Sequence, residues 1–380
     1  MVRVRKLIPL LEACNFTMGQ SPSSDTYNTS HDGMPFYQGN SDFGKRSPAP
    51  RVWCSAPKKT ANEGDILISV RAPIGAINIA SERCCIGRGL AAIGPLPDMV
   101  ARDYLEHYLR FRKPELERQG TGSTFKAVGK KVFAEMTLPI VPMEEQTGIA
   151  RRLGGVIELK EEALSQIEEL DELVKSRFVE MFGDPIEQHG SWAFDRIDAF
   201  CDVITGNTPS RNRPEYYGDG IEWIKTDNIT EAAILTEASE RLSEEGARAG
   251  RTVPAGSVLM ACIAGSVKSI GKVAIANRPV AFNQQINALV PHEGMIKTEY
   301  LLWMLRLSKD YLCSDINMQL KGILNKTNLS RKVFSVPPLS LQQEFVTFVR
   351  QVDKLKFETQ QAIDKLQMLY DSLAQEYFGS

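Results

Sequence analysis

The stretch Cys201-Asp-Val-Ile-Thr-Gly-Asn-Thr-Pro-Ser-Arg211 matches an earlier one, which has Cys14 and then Gly19-Gln-Ser-Pro-Ser23. The pair Phe182-Gly183 likewise returns as Phe378-Gly379. Self-similarity at a fixed distance indicates an architecture built from copies of one unit. Here the distance is 187 to 196 residues, which is too long for a stacked solenoid repeat. The sequence therefore predicts two copies of one domain, an arrangement suited to binding two equivalent targets at a set separation.

The two copies have equal lengths in one part and different lengths in another. Gly19 matches Gly206 with an offset of 187 residues, whereas Gln146 matches Gln342 with an offset of 196. The globular part of the second copy has therefore gained nine residues, and the part after it has gained none. This contrast predicts a spacer of restricted length beside globular domains whose loops are free to change.

Apolar residues recur at alternating steps of four and three along residues 146–184 and again along residues 343–380. Such a 3.5-residue period is typical of a coiled-coil seam, and the globular domain between the two segments favours antiparallel pairing. Each helix would then be about 55 Å long, the length of about 16 base pairs of DNA. The alternative is two amphipathic helices, each packed on its own domain. The predicted seam residues are Leu153, Val156, Ile167, Leu170, Val174, Val349, Val352, Ile363, Leu366 and Tyr370.

Two lysines interrupt this seam at equivalent positions. Lys160 and Lys356 are 196 residues apart and occupy steps that the apolar pattern skips. Polar residues in a seam specify pairing at a cost in stability. We therefore expect both lysines to contribute to the register of the helix pair.

The globular parts alternate short β-like runs with turns and then change to a helical pattern. Strands are predicted, as matching sets in the two copies, at 65–70, 76–80 and 90–93 and at 257–261, 272–276 and 286–290. Helical segments follow at 102–112 and 297–309. The sequence therefore predicts an α+β fold.

The predicted organisation has four segments. Two globular domains each precede a long helix, and the two helices pair as an antiparallel coiled coil. The boundaries are residues 1–145 for the first globular domain, 146–184 for its helix, 185–342 for the second globular domain and 343–380 for its helix.

The composition is that of an ordinary globular protein, with 43% hydrophobic and 24% charged residues. No apolar run of 18 residues exists, which predicts no membrane span, and we expect no signal peptide. The seven cysteines form no CxxC pair and the four histidines are scattered, which argues against a zinc site. The same cysteine pattern predicts a reducing, cytoplasmic compartment.

The net charge of −2 conceals an uneven distribution. Residues 1–145 hold 19 Lys and Arg against 15 Asp and Glu, whereas residues 146–184 hold 5 against 9. The acidity lies largely in the helical segments. Neutral to mildly basic globular domains permit contact with DNA without demanding it.

The order of the repeated motifs resembles that of a known family. Both copies contain a Gly-x-[Ser/Thr]-Pro-Ser turn, a Gly-Asp-Ile-Leu-type strand and a Pro-Pro-Leu-x-x-Gln-type start of a long helix. The first helix closes with Phe178-x-x-Met-Phe-Gly-Asp-Pro185, and the phrases Ser69–Gly75 and Tyr216-Tyr…Ile-Glu-Trp-Ile-Lys225 accompany them. In this order, and duplicated, the motifs are similar to those of the DNA-specificity (S) subunits of type I restriction–modification systems, over essentially the whole chain.

This resemblance implies two target recognition domains, each of which reads one half of a bipartite, asymmetric site in double-stranded DNA. It implies that the helices set the gap and dock two methyltransferase (modification) subunits, which methylate adenine with S-adenosylmethionine. Two restriction subunits that use ATP and Mg²⁺ can join such a complex. The chain itself would be a non-catalytic subunit without a cofactor of its own.

The first copy departs from the family pattern. In place of the Tyr-Tyr…Trp-Ile-Lys phrase it has only Tyr27 and Met34-Pro-Phe-Tyr37. We therefore expect the two domains to be of different subtypes and to read different sequences.

The sequence contains no phosphate-binding loop, dinucleotide fingerprint, His-Glu-x-x-His or Asn-Pro-Pro-Tyr motif. Candidate functional residues are therefore polar and basic loop residues, because such side chains contact base edges and phosphates. In the first domain they are Gln20, Ser21, Ser23, Lys45, Arg46, Arg71, Arg88 and Lys126. In the second domain they are Asn207, Thr208, Ser210, Arg211, Lys225, Lys268, Gln284, Gln285 and Lys321. For each residue alone, a solvated surface charge or a turn cap is an equally good interpretation.

Two other functions are compatible with the pattern. A self-sufficient enzyme with duplicated domains is disfavoured because no catalytic motif is found. A scaffold that binds proteins or RNA through its two globular domains, held on a coiled coil, is the main alternative because the net basicity of the domains is weak.

Overall fold

The computed structural model describes residues 6–121, 126–188, 190–263, 269–314 and 323–379. The chain divides into two units, Met1–Leu164 with Gln360–Ser380 and the intervening Ser165–Thr359. Each unit therefore combines one globular copy with parts of both long helices.

The elements of the first copy alternate short strands with few helices until the long helix begins. In chain order they are β1 (Lys6–Pro9), α1 (Leu10–Ala13), β2 (Cys14–Met18), β3 (Tyr27–Asn28), β4 (Met34–Tyr37), β5 (Trp53–Cys54), β6 (Thr60–Ala61), β7 (Ile66–Ser69), β8 (Ile77–Ile79), β9 (Cys84–Ile86), β10 (Leu90–Pro95), α2 (Arg102–Gln119), α3 (Lys130–Glu135), β11 (Thr137–Ile140) and the long helix α4 (Met143–Phe182).

Among the described residues, the second copy has a similar order, with two more short helices and one strand fewer before its long helix. Its elements are β12 (Ala193–Arg196), α5 (Ile197–Phe200), β13 (Cys201–Thr205), β14 (Tyr217–Ile224), β15 (Arg241–Leu242), α6 (Glu244–Ala249), β16 (Thr252–Val253), β17 (Val258–Ala261), β18 (Val273–Ile275), β19 (Val280–Phe282), β20 (Ile286–Pro291), α7 (Thr298–Leu307), α8 (Lys309–Cys313), α9 (Lys326–Arg331), β21 (Val333–Val336) and the long helix α10 (Leu339–Phe378).

The sheets of the two copies have closely similar topology, and in the part of the chain that the structure describes they differ by one strand, since the second sheet has five strands in the first copy and four in the second. An antiparallel sheet in the order β2-β10-β7-β8 corresponds to β13-β20-β17-β18, and the pair β1-β11 corresponds to β12-β21. A second sheet, β3-β5-β4-β9-β6, corresponds to β15-β14-β19-β16. In that sheet β4 is parallel to β9 and β14 is parallel to β19. The duplication seen in the sequence is therefore a duplication of the α+β fold.

The central strands are buried on both faces. Side chains alternate across a strand, so Ile66 and Ile68 of β7 join the core that contains α2, whereas Leu67 joins the core against the second sheet. In the second copy Val258 and Met260 of β17 contribute to the helical core and Leu259 to the other. This double burial explains why these strands read as continuous apolar runs.

The long helices run antiparallel within each unit. In the first unit Arg152 Nη1 donates to Tyr377 Oη at 2.9 Å and Lys160 Nζ donates to Gln367 Oε1 at 2.5 Å, so residue numbers rise on α4 as they fall on α10. In the second unit Lys356 Nζ donates to Asp171 Oδ1 at 2.6 Å. The predicted antiparallel pairing is confirmed. Both helices begin slightly before the predicted boundaries.

The predicted seam residues are buried to different degrees. The buried ones are Leu153, Val156, Val174, Val349, Val352 and Ile363, and the half-buried ones are Ile167, Leu170, Leu366 and Tyr370.

The end of each long helix packs on the helix that follows a sheet. The Phe378 ring meets the Tyr104 ring edge-on with centroids 5.1 Å apart, and the Phe182 ring meets the Tyr300 ring in the same way at 4.9 Å. Phe378 therefore completes the core of the first unit, and Phe182 completes the core of the second. This packing gives the repeated Phe-Gly pair a structural role.

Two predicted helices differ in extent from those observed. The helix α2 continues past the predicted end at Arg112, through Pro114, to Gln119, and this extension buries Leu116. The segment 297–309 contains α7, which ends at Leu307, before α8 begins at Lys309. Among the described helices, none combines the length and apolarity needed to cross a membrane.

Candidate nucleic-acid interface

Each copy has a glycine that brings a loop against the central sheet. The Gly19 N–H donates to Leu90 O at 2.9 Å, and the Gly206 N–H donates to Ile286 O at 3.0 Å. A Cβ on Gly19 would lie 2.1 Å from Gly87 O, and one on Gly206 would lie 2.1 Å from Asn283 O. Only glycine permits so close an approach of two backbones. The polar residues that follow each glycine are thereby fixed beside the turn that precedes the last sheet strand.

In the second domain this loop brings several predicted residues together. The Asn207 N–H donates to Phe282 O at 3.1 Å, and the Thr208 hydroxyl is hydrogen-bonded to the Gln284 side chain. Gln285 follows directly and its Oε1 accepts from Asn283 Nδ2 at 3.1 Å. Asn207, Thr208, Gln284 and Gln285 therefore form one polar surface.

A carboxylate holds two of the predicted cations beside this surface. Glu240 Oε2 accepts from Arg211 Nη2 at 2.6 Å, and Glu240 Oε1 accepts from Lys225 Nζ. The hydrogen bond from Lys225, with a further one from Arg211, holds the pKa of the Glu240 carboxyl below its ordinary value. The site keeps one net positive charge.

Two aromatic rings support these cations. The Arg211 guanidinium carbon lies 4.5 Å from the centroid of Tyr217 and 5.3 Å from that of Trp223. Lys225 Nζ lies 5.3 Å from the Trp223 centroid. Such cation–π contacts attract the charged groups to the ring faces and so restrain the two side chains. We refer to Arg211, Tyr217, Trp223, Lys225 and Glu240 as the Glu240 cluster.

In the first domain, backbone contacts gather five of the predicted residues. Ser21 Oγ accepts from the Arg88 N–H at 3.3 Å, and Gln20 donates its N–H to Ile86 O at 3.0 Å. Arg71 pairs through its backbone with Ala127, which follows the exposed Lys126. Val70, next to Arg71, donates to Gly89 O, next to Arg88, at 2.9 Å. The structure thus brings five of the predicted residues into one region, namely Gln20, Ser21, Arg71, Arg88 and Lys126.

The other predicted residues lie elsewhere or in turns. Lys45 Nζ lies 3.5 Å from Glu161 Oε2 on α4, and Lys45 and Arg46 line a cavity of about 640 Å³ between α2 and α4. Ser23 and Ser210 are exposed turn residues whose carbonyls accept from Thr26 and Arg213. Lys268 and Lys321 lie outside the described residues.

The first copy has aromatic residues at the structural positions that the Tyr-Tyr…Trp-Ile-Lys phrase occupies in the second copy. Tyr27 Oη donates to Pro22 O at 3.0 Å, as Tyr217 Oη donates to Pro209 O at 2.7 Å. Phe36 pairs with the parallel strand β9, as Trp223 pairs with β19. The phrase is therefore present in altered form. Unequal spacing between the two aromatic residues conceals it in the sequence.

Glu240 is the residue of this surface that sequence reasoning missed. It belongs to the stretch Glu237-Ala-Ser-Glu240, which has no counterpart motif in the first copy. An acidic residue is also a poor first candidate for contact with a polyanion. Its pairing with Arg211 was not recognisable because 29 residues separate them.

Within the described ranges, no group of three or more His, Cys, Asp or Glu side chains could hold a metal ion.

The sequence matches the type I restriction modification DNA specificity domain family twice, over residues 7–169 and 190–367. Among relatives, the MjaX type I restriction enzyme specificity subunit of Methanocaldococcus jannaschii is 44% identical over 154 residues, which is 40% of this chain and 36% of that protein. The HindI specificity subunit of Haemophilus influenzae is 31% identical over 27% of this chain and 22% of that protein. The chain thus matches well under two thirds of the length of these two relatives.

Solved structures share the fold over the whole chain. A chain solved in work on complex assembly and conformational transition of the type I R-M system superposes with a TM-score of 0.65 at 19% identity, covering 100% of this chain and 98% of that one. The S subunit of a type I restriction–modification system from M. genitalium superposes with a TM-score of 0.56 at 14% identity and the same coverage. At these identities the likeness concerns the fold.

Proposed function

Because the chain belongs to the type I restriction–modification DNA specificity family, we propose that it is the subunit that selects the DNA sequence on which a methyltransferase acts. The observation that carries the proposal is the pair of equivalent loops at Gly19 and Gly206. They occupy the same place in the same fold, yet they present different polar side chains. This is what two readers of two different half-sites require.

Each globular domain would read one half of a bipartite, asymmetric site in double-stranded DNA. The second domain offers the Glu240 cluster with Asn207, Thr208 and Gln284, and the first offers Gln20, Ser21 and Arg88. Arg, Lys, Asn and Gln side chains are those that distinguish base pairs in the major groove. The different residue sets predict half-sites that are not related by symmetry.

The long helices would set the gap between the half-sites. Each has 40 residues and is therefore about 60 Å long. Their strict 196-residue repeat, in which no residue is gained or lost, fits a part whose length is functionally fixed.

The same helices offer two equivalent docking sites. Leu159 and Leu369, beside the Lys160–Gln367 bond, are 54% and 47% exposed in the first unit. Their counterparts at the 196-residue offset, Leu355 and Leu173, are 50% and 48% exposed in the second unit. The recurrence of exposed leucines at the same place in both units is what supports a repeated contact with a protein partner. Family membership and the twofold repeat support the proposal that these sites dock two methyltransferase subunits.

The chemistry would then belong to the partners. The methyltransferase subunits would bind S-adenosylmethionine and methylate adenine, and two restriction subunits with ATP and Mg²⁺ would complete the nuclease form. The contribution of this non-catalytic chain is recognition, spacing and assembly in the cytoplasm.

Mapping of methylated adenine across a genome, with and without this gene, tests the proposal. With the modification subunit present, we expect one motif with two unequal half-sites and a fixed gap. A helical insertion then tests the spacing role. Seven residues added after Ser165 and seven after Gln361 preserve the heptad phase of both helices and should lengthen the gap by about three base pairs.

The half-sites themselves are the internal control, because the insertion leaves both globular domains unchanged. An unaltered gap would refute the spacing role. The absence of any bipartite motif, together with failure of the assembled complex to bind duplex DNA, would favour a scaffold that binds protein or RNA.

A charge substitution tests the docking sites. Leu159→Glu combined with Leu369→Glu should reduce the number of bound methyltransferase subunits from two to one, as measured by native mass spectrometry. Glu162→Ala, a solvent-facing change on the same helix, is the matched control. Two retained subunits in the leucine variant would place the docking site elsewhere.

A further inference from the structure

We propose that Glu240 is a specificity-determining positioning residue, which holds Arg211 in place to read a guanine in the half-site of the second domain. The proposal rests on the proposed function, since it assumes that this domain contacts DNA. It names guanine as a base that the second domain reads. It also gives Glu240 a role in which this residue does not need to contact DNA.

The geometry leaves the Arg211 guanidinium oriented but available. Its side chain is 56% exposed, while Glu240 is 33% exposed. Among the described residues Glu240 is the only hydrogen-bond partner of this guanidinium, through Nη2. An arginine has five N–H donors, so most of them remain free. A free pair of donors fits the O6 and N7 acceptors of guanine, the commonest specific contact of arginine in the major groove.

Lys225 binds the other oxygen of the same carboxylate and lies over the same indole. Its side chain is 31% exposed, less than that of Arg211. Trp223 is buried and its Nε1 donates to Asn207 O at 3.3 Å, which links it to the loop that carries Arg211. The carboxylate is thereby fixed from one side and orients the arginine on the other. Orientation before binding reduces the entropy that must be lost on binding.

The Glu240 cluster is absent from the equivalent place in the first domain. Glu240 O accepts from the Trp223 N–H at 3.0 Å, and in the first copy Val52 O accepts from the Phe36 N–H at 2.8 Å. Val52 therefore stands where the second copy has Glu240.

The partners of Glu240 are replaced in the same way. Ser24 follows Pro22-Ser23 as Arg211 follows Pro209-Ser210, and Gln38 follows Phe36-Tyr37 as Lys225 follows Trp223-Ile224. A group required by the shared fold would recur in both copies. One that is confined to a single copy, on its exposed loop surface, fits a role in recognition.

A second glutamate in the same domain shows what a structural carboxylate looks like. Glu222 is 7% exposed, receives two bonds of 2.7 Å from Arg278 and accepts from the Ala238 N–H at 2.8 Å. The Glu240 carboxylate is far more exposed and bonds only to cationic side chains among the described residues. It holds loop side chains rather than backbone.

Methylation mapping of the assembled system with the variants Arg211→Ala, Arg211→Lys and Glu240→Gln tests the proposal. Both arginine variants should lose preference at one G·C position of one half-site, on the order of tenfold or more. Lysine keeps the charge but not the paired donors, so it separates base reading from a phosphate contact. Glu240→Gln should weaken preference at the same position to a smaller degree, and Glu240→Asp should restore part of it.

Arg213→Ala is the matched control. This arginine lies on the same loop, donates to Tyr216 Oη at 2.8 Å and is not bound to Glu240. It should leave the motif unchanged. A circular dichroism melt of each variant verifies that the second domain remains folded.

Three results would overturn the inference. Arg211→Lys could retain full base preference, which would make Arg211 a phosphate contact. The affected position could be an A·T pair, or Glu240→Gln could leave every preference intact. If the wild-type system yields no bipartite motif at all, the proposed function fails first, and that outcome is distinguishable from these three.

Discussion

Gln146 and Gln342 lie 196 residues apart, and both side chains are buried. Their amides make equivalent sets of three hydrogen bonds. Gln146 Oε1 accepts from the Ala101 N–H at 2.9 Å, and its Nε2 donates to Met99 O and Val141 O. Gln342 bonds in the same way to the Lys297 N–H and to two carbonyls. Each glutamine therefore ties the start of a long helix to the start of the helix that follows the sheet.

Replacement of either glutamine should destabilise its own unit. Gln342→Leu removes the partner of one buried carbonyl, that of Pro337, and of the part-buried Lys297 N–H and Met295 carbonyl, and we expect a loss of about 3 kcal/mol in unfolding free energy. Urea unfolding measures this loss. The neighbouring exposed Gln343→Leu is the control and should stay within about 0.5 kcal/mol of the wild type. Equal effects of the two changes would refute the role of the buried amide.

Substitutions at two glycines should have opposite signs. Gly206→Ala would place a Cβ 2.1 Å from Asn283 O and 2.5 Å from Phe282 O, and should cost about 2–3 kcal/mol because backbone hydrogen bonds hold both segments in place. Gly148→Ala, within α4 and with nothing inside 4 Å, should instead stabilise by about 1 kcal/mol. Thermal melting of the two variants gives both signs. A tolerated alanine at position 206 would contradict the close approach.

The seam lysines should matter for register more than for stability. Lys160 and Lys356 bond across the helix pair to Gln367 and Asp171. Replacement of both lysines by leucine should raise the melting temperature while allowing mixed registers, because apolar seam residues pair less selectively. In methylation maps this would be seen as a mixture of gap lengths. Lys175→Leu, on the outer surface of α4, should leave the gap uniform. A single unchanged gap in the double variant would exclude this role.

The second domain should lose stability in acid through Glu222. The hydrogen bonds from Arg278 lower the pKa of its carboxyl from 4.5 to about 2. A depressed pKa gives stability that is fully present above 4.5 and is lost as pH falls toward 2, here on the order of 3 kcal/mol. Glu222→Gln should therefore flatten the unfolding free energy over that pH range and lower it at neutral pH. The exposed Glu215→Gln should keep the wild-type profile.

The duplicated fold and the helix pair could be predicted from the sequence because they depend on regular patterns. Strands such as β7 and β17 are continuous apolar runs, and α4 and α10 carry a sustained heptad period. The repeat also predicted which residues of the two copies are equivalent, for example Gln146 and Gln342.

The site was less accessible to such reasoning because it depends on contacts between distant residues. The positions of Arg211 and Lys225 beside Glu240 follow from the path of a loop with no periodic pattern. The equivalence of Phe36 with Trp223 depends on strand pairing, since the spacing to the preceding tyrosine differs. Lys45 and Arg46 were grouped with the loop residues by their charge alone, whereas in the structure they lie beside α2 and α4.

In each copy one backbone hydrogen bond joins the two ends of the segment between the loop glycine and the last sheet strand. It links Gly19 to Leu90 in the first copy and Gly206 to Ile286 in the second. Between those fixed ends the two copies differ in length by nine residues and in most side chains. Under the proposed function, a change in the exposed loops of this segment would alter the DNA preference of one domain and leave the other domain as it was. A lineage that exchanges such segments, one copy at a time, would acquire new specificities in steps that each leave half of the old site intact.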